Sequence, residues 1–262
     1  MHPILISFGP IEIRYYGLMY VVAIIVGSYL LKSEVKRKGI SLSEDESMNL
    51  LLWVMLGGII GARLYYVAFN LEFYIDNIKE IPAVWHGGLA IHGGIIGGIF
   101  SGWVFVRKHS VPFWYASDAC APVLILGQTF GRFGNFMNGD AHGVPTDLPW
   151  GIVFPPESIA GREFPGIATH PVMLYEMALN FLIFSLLWFV LRKRNFKSGF
   201  IFATYFVLYS FGRFIVESFR ADSLMMWGFR TAQVISIALI IITLAIIIYK
   251  KLWQNEPQRS SD

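Results

Sequence analysis

The chain has 262 residues, of which 55% are hydrophobic and only 15% charged, well below the quarter of charged residues usual in a soluble domain. That balance excludes an ordinary soluble globular protein and leaves a polytopic membrane protein, in which spans of about 20 residues take up most of the length. The net charge of +3 comes from bases clustered at span ends rather than along one stripe, which argues for orientation in a lipid bilayer and against a nucleic-acid partner.

The opening MHPILISFGPIEIR lacks a basic n-region, a long apolar core and a small-residue cleavage site, so it is expected to be an N-terminal arm rather than a signal peptide, and it carries no lipidation motif. A first span is expected at residues 15–31, followed by Lys32, Lys36, Arg37 and Lys38. The second, 48–69, holds Gly57, Gly58, Gly61 and the intramembrane Arg63. After a polar link at 72–80 comes a glycine-rich third span, 87–106, closed by Arg107 and Lys108. In it Gly93 and Gly97, like Gly94 and Gly98, have the small-xxx-small spacing that lets helix backbones approach.

The fourth span, 112–130, has kink signals at Pro112, Pro122 and Gly127, and it contains Cys120, the single cysteine, which suits a packing role and allows no intrachain disulfide. It runs into GQTFGRFGNFMNGDAHG, residues 127–143, where Arg132, Asn135, Asn138, Asp140 and His142 stand between glycines just as the apolar stretch ends. From 134 to 169 prolines, glycines and charges predict a small head of turns. Further spans follow at 171–191, 199–219 and 231–249, before a polar tail. In THPVMLYE, Thr169 is expected to cap the fifth span's helix, with Pro171 in its first turn and Glu176 pointing inward.

The expected architecture is thus an all-α polytopic membrane protein with about seven transmembrane helices. Basic clusters after spans one, three, five and seven hold twelve of the 21 Lys and Arg, all on one side, and the positive-inside rule makes that side cytoplasmic. The N-terminus and the head between spans four and five then lie outside, and the C-terminus inside. Residues 1–133 form the arm and spans one to four, 134–169 the extracytoplasmic head, and 170–262 spans five to seven with a cytoplasmic tail, together one integral membrane domain.

Ionisable side chains within spans are costly and are functional candidates by default. Among them here are Arg63, His92, Arg132, Glu176, Arg213 and Glu217. Tyr209, Arg213, Glu217 and Arg220 fall along one helical face, where Arg213 and Glu217 could serve simply to neutralise each other. Arg132 and Asn135 lie one turn apart and supply the guanidinium and amide that grip a phosphate and its hydroxylated neighbours. A nucleotide-binding glycine loop is set aside because GRFGN follows an apolar helix and no strand. In HGGLAIHGG, His86 sits at the water boundary and His92 about one and a half turns deeper, where it either packs or faces a cavity. His142 and His170, as exposed loop histidines, are assigned no special role. No His, Asp or Glu spacing suggests a metal site.

In order along most of the chain, RYYGLMY, HGGLAIHGG, the 127–143 run, HPVMLYE and YSFGRFIVESFR together resemble the prolipoprotein diacylglyceryl transferases of bacterial inner membranes. The resemblance implies a multi-pass enzyme of the bacterial cytoplasmic membrane. It would move the diacylglyceryl group of phosphatidylglycerol onto the lipobox cysteine thiol in a preprolipoprotein signal peptide, releasing glycerol phosphate. Neither metal nor cofactor is implied. Arg132 and Arg213 would stabilise the departing phosphate, and His92 is the candidate base for the thiol, an activation the arginines could also supply. By motif, Tyr16, Asn135, Asn138, Asp140 and Gly143 join the site, with Tyr209 and Glu217 supporting Arg213. Two positions depart from the family pattern: Asp140 stands where Glu is commoner, and Val172 and Met173 where a polar pair is common.

Two other classes compete with this reading. A transporter or scramblase would show internal repeats or paired broken helices in its two halves, between which the sequence has no self-similarity, and a lipid phosphotransferase cleaving at phosphorus would show Asp-rich metal clusters, which are absent from the sequence.

Overall fold

The computed structural model describes residues 1, 3–9 and 11–255. In chain order these form β1 (Ile4–Phe8), β2 (Ile11–Arg14), α1 (Tyr15–Lys38), α2 (Glu44–Ala68), α3 (Leu71–Asp76), α4 (Ile91–Lys108) and α5 (Phe113–Asn138). There follow β3 (Ile152–Val153), α6 (Ile159–Glu163), β4 (Ala168–Thr169), α7 (Val172–Ser185), α8 (Phe200–Glu217), β5 (Met225–Met226), β6 (Phe229–Arg230) and α9 (Thr231–Lys250). Among the described residues, five helical stretches are long and apolar enough to cross a membrane: Tyr15–Lys38, Glu44–Ala68, Val172–Lys193, Phe200–Glu217 and Thr231–Lys250. The third of these is α7 continued by a π turn, Leu186–Val190, and a 3-10 turn, Leu191–Lys193. The protein is accordingly a mostly helical, multi-pass membrane protein. Helices α4 and α5, over the expected third and fourth spans, fall outside that set. His92, five glycines and the closing Arg107 and Lys108 dilute the hydropathy of α4, and Asp118 with the polar run from Gln128 to Asn138 dilutes that of α5. The expected polar tail lies in large part at 256–262, outside the described residues.

Helix ends follow local chemistry. Ser43 and Glu46 form a reciprocal capping box at the start of α2, with Glu46 N–H donating to Ser43 Oγ at 3.1 Å and Ser43 N–H to Glu46 Oε2 at 2.7 Å. Lys36, Arg37 and Lys38 complement the dipole at the end of α1, where Gly39 takes φ +62° and Ile40 N–H reaches back to Val35 O at 3.0 Å. Helix α8 starts after Gly199, at φ +96°, and has no capping side chain of its own. The cap comes from α5, whose buried Asp118 accepts N–H bonds from Gly199 and Phe202 at 2.9 Å each.

The chain divides into two compact units, Met1–Gly27 with Ser117–Asp262, and Ser28–Ala116. In the second, α2 and α4 meet backbone to backbone. A Cβ on Gly97 would lie 2.2 Å from Gly57 O, and one on Gly61 would lie 2.4 Å from Gly93 O, so only glycine permits the contact. Arg63 is buried in this unit, and its guanidinium donates to the carbonyls of Glu80, Ile81 (2.8 Å), Gly87 and Gly88 (3.0 Å). It thereby fastens the connection between α2 and α4, a structural role.

In the first unit, α8 packs on both α7 and α9, and the head lies between α5 and α7 in sequence. Helix α5 continues to Asn138, past the expected start of the head at 134, because nothing in GNFMN stops it before Gly139 turns at φ +64°. The head then pairs Ile152 with Thr169 and Val153 with Ala168, and it buries Phe154, Ala160 and Met173 against Phe136, Ile152 and Leu174. Because Thr169 is engaged in this ladder, it does not cap α7. Pro171 occupies the N-cap position, its missing N–H costing nothing at a helix start.

Candidate functional site

Within the first unit, three arginines from two segments converge on one carboxylate. Glu176, one turn into α7 and only 4% exposed, meets Arg132 of α5 through Oε2, while its Oε1 accepts from Arg213 of α8 at 2.6 Å and from Arg220 at 3.1 Å. Arg213 also pairs with the buried Glu217 at 2.7 Å. Arg220, just beyond α8, forks onto Asp222 at 2.7 and 2.9 Å and reaches Glu217 at 3.9 Å. Burial disfavours the Arg220 charge, but Asp222, Glu176 and Glu217 more than offset it, so the guanidinium's pKa is raised above its usual range. Arg230 at the start of α9 ties the turn down by donating to Glu217 O, to Arg220 O at 3.0 Å and to Ser223 Oγ at 2.9 Å.

The 127–143 run forms one flank of this cluster. Arg132 Nη1 reaches Asn135 Oδ1 at 3.4 Å, and Asn135 Nδ2 donates to Asp140 Oδ1 at 2.7 Å, so the shorter carboxylate still engages its neighbour. Asn138 is the last residue of α5. Tyr16 packs against Gly134, where a Cβ would sit 2.6 Å from its ring, and lies within electrostatic reach of Asp140 and Arg132. Gly143 is squeezed against His170 and Val172, with a would-be Cβ 2.6 Å from each, while its N–H donates to His170 O at 3.1 Å. It also bridges to Arg220, which connects the head to the segment after α8. Tyr209 stands one turn before Arg213, its ring stacked on Tyr205.

Tyr16, Arg132, Asn135, Asp140, Gly143, Tyr209, Arg213 and Glu217 therefore all belong to one unit, the arginines and Glu217 in a single ionic cluster. His92 belongs to the other unit. Gly87 and Gly88 take φ +84° and +71° and delay α4 to Ile91, so His92 stands in its first turn, exposed, with its ring 6.0 Å from that of Tyr65. The head histidines are buried, not exposed as expected. His142 is 1% exposed with Nε2 3.0 Å from Glu163 Oε2, and His170 Nδ1 lies 3.1 Å from Tyr175 Oη. Sequence reasoning missed Glu176 as the hub and Arg220 as a member, although Glu176 was marked as an inward ionisable group. Helical spacing relates residues within one helix and says nothing of three segments meeting. Among the described residues, no group of three or more His, Cys, Asp or Glu is placed to hold a metal ion.

Fold and cluster define a polytopic membrane protein with a buried arginine–carboxylate site. The prolipoprotein diacylglyceryl transferase family model matches residues 3–249, and the chain belongs to that family. It is 43% identical to a phosphatidylglycerol–prolipoprotein diacylglyceryl transferase of Fusobacterium nucleatum subsp. nucleatum, over 93% of this chain and 96% of that protein. It is 38% identical to the protein of the same name in Listeria welshimeri (100% and 94%), and 40% identical to that in Trichormus variabilis (93% and 87%).

Proposed function

We propose that this chain transfers the diacylglyceryl group of phosphatidylglycerol to the lipobox cysteine thiol of a prolipoprotein, in the bacterial inner membrane. It does so with seven spans, the N-terminus and head outside, an orientation supported by the basic clusters after alternate spans. The family membership points to the reaction, and the observation that carries the site is the meeting of Arg132 and Arg213 on Glu176.

In the reaction the thiol sulfur attacks the glycerol carbon that bears the phosphate. A carbon–sulfur bond forms, the carbon–oxygen bond breaks and its electron pair leaves on the phosphate. The lipid phosphodiester, with one negative charge, becomes a phosphate monoester with up to two, and the thiol proton passes to a base, for which His92 is proposed. Arg132 spends part of a five-donor guanidinium on Glu176, and Arg213 spends part of its own on Glu176 and Glu217, which fixes their planes in advance. Their remaining N–H groups are free to meet the departing oxygens, and donors already in place need no reorganisation as charge develops. Asn135, held by Asp140, offers its carbonyl toward Arg132 and keeps it in the same plane. Tyr16, Asn138, Asp140, Gly143, Tyr209 and Glu217 complete the proposed substrate wall.

Purified protein given phosphatidylglycerol and a lipobox peptide should add a diacylglyceryl mass to the peptide's cysteine, with no metal added. An unchanged peptide mass with intact lipid would sink the proposal. Arg132→Ala, Arg213→Ala and His92→Ala should each lower the yield, and full activity in all three would refute this set of residues.

A further inference from the structure

Below the arginine cluster, a cleft between α7 and α8 holds a polar group that the proposed reaction does not use. Its walls carry Glu176 and Asn180 on α7, four residues apart, and Arg213 and Tyr209 on α8, also four apart. Each pair spans one turn, so the cleft has two polar layers about 5.4 Å apart along the helices. The outer layer is Glu176 with Arg213, joined by an ion pair at 2.6 Å. The inner layer is Asn180 with Tyr209. Asn180 is only 3% exposed, and its Nδ2 has no hydrogen-bond partner. Leu179 and Ile183 continue the lining in apolar character, and on the other faces of the same helices Phe181, Leu182 and Phe211 are exposed to what would be lipid.

A buried amide donor left unmade is costly, so its retention calls for an acceptor that arrives with a ligand. A glycerophospholipid supplies one at the right depth. With the phosphate at the arginine layer, the ester carbonyls lie a few bonds further toward the acyl chains, about one helical turn inward. They are acceptors only, and they are the last polar atoms before hydrocarbon, matching an unpartnered donor with Ile183 a turn deeper.

We propose that Asn180 Nδ2 donates a hydrogen bond to an ester carbonyl of the bound phospholipid, making Asn180 a specificity-determining residue that selects diester over diether lipid. This rests on the transfer reading above and adds the acyl-linkage preference to it.

The test compares phosphatidylglycerol with its di-O-alkyl analogue of the same chain length, using the purified chain and a lipobox peptide for kcat/KM, and native mass spectrometry for lipid occupancy. Wild type should favour the diester about fivefold, the worth of one ordinary hydrogen bond. Asn180→Leu should bring the ratio to near one by losing only on the diester, and Asn180→Ser, which keeps a donor, should retain part of the preference. Because the amide is unpartnered in the free protein, Asn180→Leu should not lower thermal stability. Equal handling of the two lipids by wild type, as an ordered water at the amide would give, overturns the proposal. So does an Asn180→Leu chain that loses equally on both, which marks a structural role. If wild type transfers neither lipid, the transfer reading falls, and the occupancy ratio alone decides for or against Asn180.

Discussion

Glu176→Gln perturbs the ionic cluster at its hub while keeping the size of the side chain. The carboxylate is 4% exposed, and Arg132, Arg213 and Arg220 all rest on it. Together with Glu217 and Asp222 it balances these three guanidinium charges. The amide removes one negative charge and turns an NH2 group toward at least one guanidinium. Breaking a buried pair by removing one partner costs about 3–5 kcal/mol. Arg132 and Arg213 are about a fifth exposed, so solvent relieves part of the loss and the lower end, ~3 kcal/mol, is expected. Arg132→Gln alone leaves Glu176 held by two other arginines and should cost less, about 1–2 kcal/mol, the scale of a charge-assisted hydrogen bond. In the double variant the two losses overlap, giving a coupling of about 1–2 kcal/mol. Unfolding titrations of the four proteins in mixed micelles, followed by tryptophan fluorescence, supply the cycle. A Glu176→Gln chain within ~0.5 kcal/mol of wild type, or additivity within that margin, would refute the hub.

Gly97→Ala should be destabilised by at least 1–3 kcal/mol, since its Cβ would lie 2.2 Å from Gly57 O, whereas Gly98→Ala meets nothing closer than 3.4 Å and should change thermal stability little. Arg63→Ala removes hydrogen bonds to four carbonyls and should loosen the 77–90 connection by ~2–4 kcal/mol, seen as new protease cleavage there. Arg63→Lys should rescue this only in part, because an ammonium has three donors and no fork. Asp118→Asn leaves one of two N–H groups at the start of α8 facing an amide NH2. Faster hydrogen exchange at Gly199 or Phe202 and a loss of about 1–3 kcal/mol are expected.

How far the sequence reading reached depends on the range of the interaction. The α2–α4 contact was legible as Gly93 and Gly97 four apart, because small-residue spacing marks one helix face. Arg132 with Asn135 and Arg213 with Glu217 were legible for the same reason, each pair one turn apart. The apolar Val172 and Met173, which read as a departure from a polar pattern, are explained by packing. Met173 belongs to the head core with Phe154 and Ala160, and Val172 closes on Gly143. The buried state of His142 was not legible, since the glycines and prolines around it signal turns and do not reveal that the turns enclose a core.

The membrane class and the five long apolar helices were legible in the sequence alone, because the cost of taking charge into hydrocarbon acts residue by residue and leaves its record in composition and run length. Which charges neutralise one another was decided only in three dimensions. Glu176 has no basic residue on its own helix. It is satisfied by Arg132, Arg213 and Arg220, 44 residues or fewer away in sequence on two other segments. Asp118 likewise caps a helix whose N-cap residue, Gly199, lies 81 residues later. Burial removes water as an alternative partner, so a charge or helix end takes whatever complementary group packing brings near, and sequence spacing carries no trace of that choice.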